Sequence, residues 1–297
     1  MNGMNPMAHD ILTRYADMAL PITDTAADYA ERLSACLQLG FIASDAACIA
    51  QAWQAQSART GNTTDWPDSP EDFGLHPWPR PHAFPPCPHQ LGLYAVLPDA
   101  AWVGRMARAG VPTVQLRFKS DDAVAIQREI AAAVAAVQGT PALLFINDHW
   151  QAAIQAEAYG VHLGQEDLDL LQAVDLDAIR TAGLRLGVST HGYAEMLRAD
   201  RVSPSYIALG AVFPTTLKKM ATAPQGTARL AAYARLLRNY PLVAIGGIDT
   251  ERLGPVLASG VGSVGVVRAL TAAADPEQAA TELRQTIDKF LASAPKP

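Results

Sequence analysis

The sequence predicts an α/β fold, a (β/α)8 TIM barrel with an N-terminal helical extension and a Pro-rich linker. Two patterns predict it. After residue 88, short β-branched or Leu-rich runs alternate eight times with helix-like segments, the alternation of a parallel sheet wrapped by helices. Most of these apolar runs also end in a polar or glycine signal, and such barrels collect their chemistry at the C-terminal ends of their strands. A doubly wound open sheet would more naturally place G-x-G-x-x-G after its first strand, and the turn there reads Leu97-Pro98-Asp99.

In chain order, residues 1–62 form the helical extension. One helix is expected from Thr25 to Leu39, closed by Gly40, and a second from an N-cap at Ser44-Asp45 to Ser57. Residues 63–88 form the linker: from Trp66 to Pro88 there are eight prolines and no periodicity, which reads as a connector or extended arm. Trp66, Phe73 and Trp78 give that arm apolar groups with which to dock. The barrel occupies 89–297. Its strands are expected at Leu91–Val96, Thr113–Arg117, Ala142–Ile146, Gly160–Leu163, Arg185–Ser189, Tyr206–Leu209, Leu242–Ile245 and Ser263–Val267. Helices are expected near 99–110, 121–138, 148–158, 167–181, 193–202, 226–239, 249–259 and 276–293.

Composition narrows the function. The chain has 297 residues, 49% hydrophobic and 18% charged, with a net charge of −6. That balance supports a large core and argues against nucleic acid as a partner, which needs a positive field. Cys36, Cys48 and Cys87 are too few and too irregular for a disulfide framework, so free thiols in a reducing cytoplasm are expected. Residues Met1 to Asp10 lack the pattern of a secretory signal, and no apolar run is long enough to span a bilayer. Homo-oligomerisation is compatible with the sequence.

The chemistry sits at the strand ends. Gln115, Arg117 and Lys119 recur every second residue and so share one face of a strand. Three polar groups on an inward face need a partner; a pyrophosphate-like anion supplies one, as does a structural salt-bridge cluster. Asp148 follows the third strand and Asp167 the fourth. Neighbouring loops bring them close, and two hard carboxylates without His or Cys beside them suit Mg2+; each alone would serve as a helix N-cap. Asn147 precedes Asp148, and Glu166 is expected to face solvent. Ser189 closes the fifth strand as a phosphate donor. A hydrolase triad with His191 is disfavoured because no G-x-S-x-G elbow surrounds the serine. His191 reads as a polar wall residue, His162 as a satisfied core histidine and His149 as a helix-surface residue. Thr215, Thr216 and Lys218 offer hydroxyls and an ammonium for a second phosphate or a lid. Gly246 and Gly247 let backbone N–H groups approach a ligand. With Val267 and Arg268 they occupy the place where such barrels commonly hold a phosphate.

Taken jointly, several stretches resemble the thiamine-phosphate synthase family over about residues 84–290. They are Phe84-Pro85-Pro86, Leu91-Gly92-Leu93-Tyr94, Gln115-Leu116-Arg117-Phe118-Lys119, Asn147-Asp148, Tyr159 through Asp167, Gly187 through His191, Phe213-Pro214-Thr215-Thr216, Ala223-Pro224-Gln225-Gly226 and Ala244 through Ile248. The resemblance implies condensation of 4-amino-2-methyl-5-hydroxymethylpyrimidine diphosphate with thiazole phosphate, giving thiamine monophosphate and pyrophosphate. By position it implies that Gln115, Arg117, Lys119, Asn147, Ser189 and Lys218 hold the pyrimidine diphosphate, with Arg117, Lys119, Lys218 and Ser189 as the catalytic set. Asp148 and Asp167 would bind Mg2+, and Thr215, Thr216, Gly246, Gly247, Val267 and Arg268 would surround the thiazole phosphate. Three departures stand out: Leu217 where the family usually has a third Thr, Arg268 where it often has Ser, and Phe118 for a frequent Glu. Residues Glu31 to Trp53 faintly resemble the end of a hydroxymethylpyrimidine kinase. A thiazole tautomerase using His191, or a non-catalytic phosphate-ligand-binding barrel, are the competing readings.

Overall fold

The computed structural model describes residues 24–77, 80–215 and 222–293. It divides into two compact units, Met1–Pro67 and Asp68–Pro297. In the first, α1 (Asp24–Gln38) and α2 (Ala43–Thr60) form a helical hairpin. Gly40 closes α1 at φ 81°: its N–H reaches the Leu37 carbonyl at 3.0 Å and that of Phe41 reaches Cys36 at 3.1 Å, the paired pattern of a Schellman end. The N-cap of α2 is Ile42, without a side-chain cap, so Ser44-Asp45 does not perform the capping expected of it. Asp45 lies in the first helical turn instead, where a carboxylate still complements the helix dipole. Trp66 packs on Phe41 and Trp53 at centroid distances of 5.7 and 5.5 Å.

The second unit is a closed barrel of eight parallel strands in sequence order. They are β1 (Gly92–Leu97), β2 (Thr113–Leu116), β3 (Leu143–Asn147), β4 (Gly160–Leu163), β5 (Arg185–Thr190), β6 (Tyr206–Leu209), β7 (Leu242–Ile245) and β8 (Ser263–Val266). Each is found within a residue or two of its expected span. Around them run α3 (Ala100–Arg108), α4 (Ala123–Val137), α5 (Trp150–Gln155), α6 (Gln165–Leu170), α7 (Ala173–Thr181), α8 (Tyr193–Val202), α9 (Gly226–Leu236), α10 (Leu253–Leu257), α11 (Arg268–Thr271) and α12 (Pro276–Ser293). The single helix expected over 167–181 is two: Leu171 is extended, and Asp175 turns back to accept the Gln172 N–H at 2.9 Å, starting α7 afresh. Helix α11 was not foreseen; four residues are too short to show periodicity.

The barrel interior is aromatic. Tyr94, Phe145 and Tyr206 meet with centroids 5.1–6.0 Å apart, together with Val96, Ala208 and Val243. Glycines make the room. A Cβ on Gly187 would stand 2.1 Å from the Tyr206 ring, and one on Gly160 2.5 Å from that of Phe145. Large and small residues thus interdigitate, as close packing of an interior requires, which seats the polar site above a filled floor.

The proline-rich stretch does not behave as a free connector. From Asp68 onward it belongs to the barrel unit. Phe73 is buried and stacks on Tyr193 (5.2 Å, 8°), which meets Tyr233 edge-on. Arg80 and Asp200 form an ion pair with side chains 4% and 2% exposed. Phe84 donates its N–H to the Ser203 carbonyl, and Pro85 accepts from the Ser205 hydroxyl at 2.6 Å. Trp78 lies outside the described residues. Among the described residues, no helix is long and apolar enough to cross a membrane.

Candidate active site

A cavity of about 840 Å3 opens at the C-terminal ends of the strands. Of the site residues expected from sequence, Gln115, Arg117, Lys119, Asn147, Asp148, Asp167, Ser189, Thr215, Gly246, Gly247, Val267 and Arg268 all line it. Thr216, Leu217 and Lys218 lie outside the described residues.

Strand β2 delivers the first group. Gln115 is buried inside the barrel and Arg117 follows the last strand residue, its N–H bonded to the Leu97 carbonyl at 2.8 Å. Among the described residues, the Arg117 guanidinium has no hydrogen-bond or ion-pair partner, although it faces the cavity. Lys119 stands further out and donates to Asp148 Oδ2 at 2.7 Å.

The carboxylates come from the next two loops. Asp148 has left-handed backbone, φ 64°, which is uncommon for a non-glycine residue; the turn bonds His149 N to Asn147 O and Trp150 N to Asp148 O. His149 is the N-cap position of α5, without a side-chain cap. Asp167 folds back so that Oδ2 accepts the Gly164 N–H at 2.8 Å. Burial pushes its carboxyl above the usual carboxylate range; the Gly164 hydrogen bond opposes that, and neighbouring Asp148 adds to it. The two acids therefore face one another, with Lys119 as their nearest cation. Glu166 is exposed at the rim of the same cavity.

Across the mouth, the backbone after β7 bends sharply. Gly246 and Gly247 sit at φ 106° and 65°, and a Cβ on Gly247 would meet the Pro214 carbonyl at 2.6 Å. Only glycine combines this backbone with this approach. Val212 N to Ile245 O and Phe213 N to Gly246 O, both 3.0 Å, lace the β6 loop to this turn and so place Thr215. Arg268 opens α11 and is exposed at the rim.

Sequence reasoning missed two features. Arg252 also lines the cavity, bonded to the Gly247 carbonyl at 2.6 Å and lying over the Phe213 ring. His162, which also lines the cavity, uses both ring nitrogens: Nδ1 meets the Tyr206 hydroxyl at 2.6 Å and Nε2 the Ser189 hydroxyl at 2.7 Å. It is thus satisfied, as a core histidine should be, but its partner is a site residue. The inward two-residue period of β1, β4 and β6 was a signal for this layer; cross-barrel pairing was not. His191 lines the wall with Nδ1 2.7 Å from Glu195 Oε2.

Comparison with known proteins agrees with this geometry. The family model for thiamine monophosphate synthase matches residues 93–270. The chain belongs to that family. It is 57% identical over 194 residues to the thiamine-phosphate synthase of Neisseria meningitidis serogroup B, covering 65% of this chain and 93% of that one. It is 56% identical over 192 residues to the Cronobacter sakazakii enzyme of the same name, covering 65% and 90%. Among solved structures, thiamine phosphate pyrophosphorylase from Pyrococcus furiosus superposes with a TM-score of 0.61 at 27% identity, covering 68% of this chain and 97% of that chain. The family match leaves out α1, α2 and the arm over 68–88.

Proposed function

We propose that this synthase-family chain joins 4-amino-2-methyl-5-hydroxymethylpyrimidine diphosphate to thiazole phosphate, releasing thiamine monophosphate and pyrophosphate. One observation carries the reading: a single cavity gathers Gln115, Arg117, Lys119, Asn147 and Ser189 beside the Asp148–Asp167 pair. Arg117, cationic and unpaired among the described residues, suits bidentate recognition of a diphosphate. Lys119 and, from the loop after β6, Lys218 add charge, while Gln115, Asn147 and Ser189 add neutral contacts.

The acids fit a divalent cation. Burial, with Asp148 adding to it, holds Asp167 above its usual range, and hard oxygen ligands of this kind suit Mg2+. When bound there, Mg2+ supplies charge neutralisation for the diphosphate oxygens. The chain's own residues do the rest. The bond between the pyrimidine methylene carbon and the diphosphate oxygen breaks, its electron pair leaving with pyrophosphate. Arg117, Lys119 and Lys218 stabilise that charge as it develops. The electron-rich aminopyrimidine carries the positive charge on its methylene carbon. The thiazole nitrogen then attacks, held by its phosphate against Thr215, Thr216, Gly246, Gly247, Val267 and Arg268. No side-chain nucleophile is required, and positioning supplies much of the acceleration.

The His191–Glu195 pair gives a tautomerase reading a foothold, but a tautomerase has no use for Gln115, Arg117 and Lys119 or the paired acids. A cytoplasmic setting accords with three free thiols. Residues 1–62 would be either an interaction appendage or a remnant of a hydroxymethylpyrimidine kinase tail. The test is thiamine monophosphate formation from the two purified substrates, with Mg2+ and with chelator. Arg117→Ala should lower turnover roughly a hundredfold or more, on the scale of a lost transition-state charge contact, and leave the thermal midpoint in place. Full activity in Arg117→Ala, or in chelated protein, would remove the basis of the reading.

A further inference from the structure

Ser189 is the outer end of a buried hydrogen-bond chain. Gln115 Nε2 donates to the Tyr94 hydroxyl at 3.0 Å; the Tyr94 and Tyr206 hydroxyls are 2.6 Å apart; the Tyr206 hydroxyl is 2.6 Å from His162 Nδ1; and His162 Nε2 is 2.7 Å from Ser189 Oγ. The chain has a direction, because its inner end is an amide N–H that can only donate. Burial pushes both phenols well above their usual range, so each keeps a proton to place. Tyr94, fully buried with Gln115 donating to it, has the Tyr206 oxygen as the acceptor for its proton. Tyr206, having accepted, has His162 Nδ1 as the acceptor for its own. With the Gln115 N–H donating to Tyr94, the reverse direction strands a buried hydroxyl proton, which is costly.

We infer that His162 is a positioning residue held as the neutral Nε2–H tautomer, so that it donates to Ser189 and leaves the Ser189 hydroxyl proton to be donated into the cavity. A serine in this state is a preset donor for an anionic oxygen. It is not a nucleophile, because the imidazole nitrogen facing it already carries a proton and cannot accept another. Tyr94 and Tyr206, which do not line the cavity, would thereby fix the polarity of a binding group at the mouth. The anion assigned to that group rests on the function proposed above; the tautomer does not.

The tautomer is read directly from 15N-histidine NMR of the full chain without ligand, with His162→Gln or the response to Tyr206→Phe assigning the signals. The expected result is an unprotonated Nδ1 and a protonated Nε2 across neutral pH. Protonation at Nδ1, alone or together with Nε2, overturns the proposal. Tyr206→Phe removes one hydroxyl from the chain without changing ring size. It should mix the tautomers and weaken binding of inorganic pyrophosphate in Mg2+ by roughly tenfold, about the loss of one hydrogen bond to a charged group. An unmixed tautomer with unchanged pyrophosphate affinity in Tyr206→Phe also overturns it. Thiamine monophosphate synthesis measured alongside separates the two claims: an active protein with Nδ1–H loses only the relay, and an inactive one with Nε2–H loses only the assigned reaction.

Discussion

A buried charge pair, Arg80 with Asp200, helps hold the arm over 68–88, and Asp200→Ala tests how much it matters. Asp200 Oδ2 accepts from His76 N (3.3 Å) and faces His76 Nδ1 (3.1 Å), while Oδ1 accepts from Tyr240 OH (2.9 Å) and from Arg80 Nη2. Truncation removes all four contacts and takes the paired carboxylate from the Arg80 guanidinium, 4% exposed. Breaking a buried pair in this way costs about 3–5 kcal/mol. The lower end is expected here, about 3 kcal/mol, because Arg80 keeps the Asp200 carbonyl (2.7 Å), Ser203 Oγ (3.2 Å), the Tyr240 hydroxyl (2.6 Å) and the His76 carbonyl (2.8 Å). Against total stabilities of roughly 5–15 kcal/mol, that is a large fraction. Urea unfolding followed by circular dichroism gives the number, and limited proteolysis should show earlier cleavage between residues 68 and 88. Replacing both partners, Arg80→Met with Asp200→Leu, should cost less than Asp200→Ala, since apolar pairs often substitute for buried ion pairs without loss. A cost below about 1 kcal/mol for Asp200→Ala would refute the clasp, set against the magnitude above.

The remaining predictions concern the site. Asp167→Asn keeps an acceptor for the Gly164 N–H but removes the charge facing Asp148; thermal unfolding without metal should show a gain of about 0.5–2 kcal/mol, the usual sign of a functional group held at a stability cost, while synthesis falls sharply. The pH dependence follows from the raised Asp167 carboxyl. A group whose folded pKa lies above its unfolded one contributes stability below the unfolded value, about 4, and loses it as pH rises through the folded value. Metal-free wild type should therefore lose stability over that climb, and Asp167→Asn should lose less of it. The proposed Mg2+ would displace the same proton, so its thermal-shift effect should shrink as pH falls toward 4, about the model carboxylate value; a pH-independent Mg2+ shift would contradict the assignment of Asp167. Burial pushes the Cys87 thiol up to about 12, and it donates to the Ser205 carbonyl. Mass spectrometry after iodoacetamide at neutral pH should find Cys87 unmodified in the folded protein and modified in urea.

What the sequence determined by itself was what depends on local period and local chemistry. All eight strands were legible because buried parallel strands read as short apolar runs between helical segments. Gln115, Arg117 and Lys119 were legible as a group by their alternate spacing, although β2 ends at Leu116 and only Gln115 lies on it; all three still reach the cavity. The pairing of Asp148 with Asp167 followed once the strands were known to be neighbours in a closed barrel. The tertiary structure decided what depends on contacts distant along the chain. Phe73 and Arg80 read as residues of a connector until Tyr193, Asp200 and Tyr240 came beside them, more than a hundred positions later. His162 and Ser189 read as separate residues until Tyr94 and Tyr206 met across the barrel floor. A strand's period specifies which way a side chain points; only barrel closure specifies what it meets, and those meetings set the hydrogen-bond direction and the charge balance of the site.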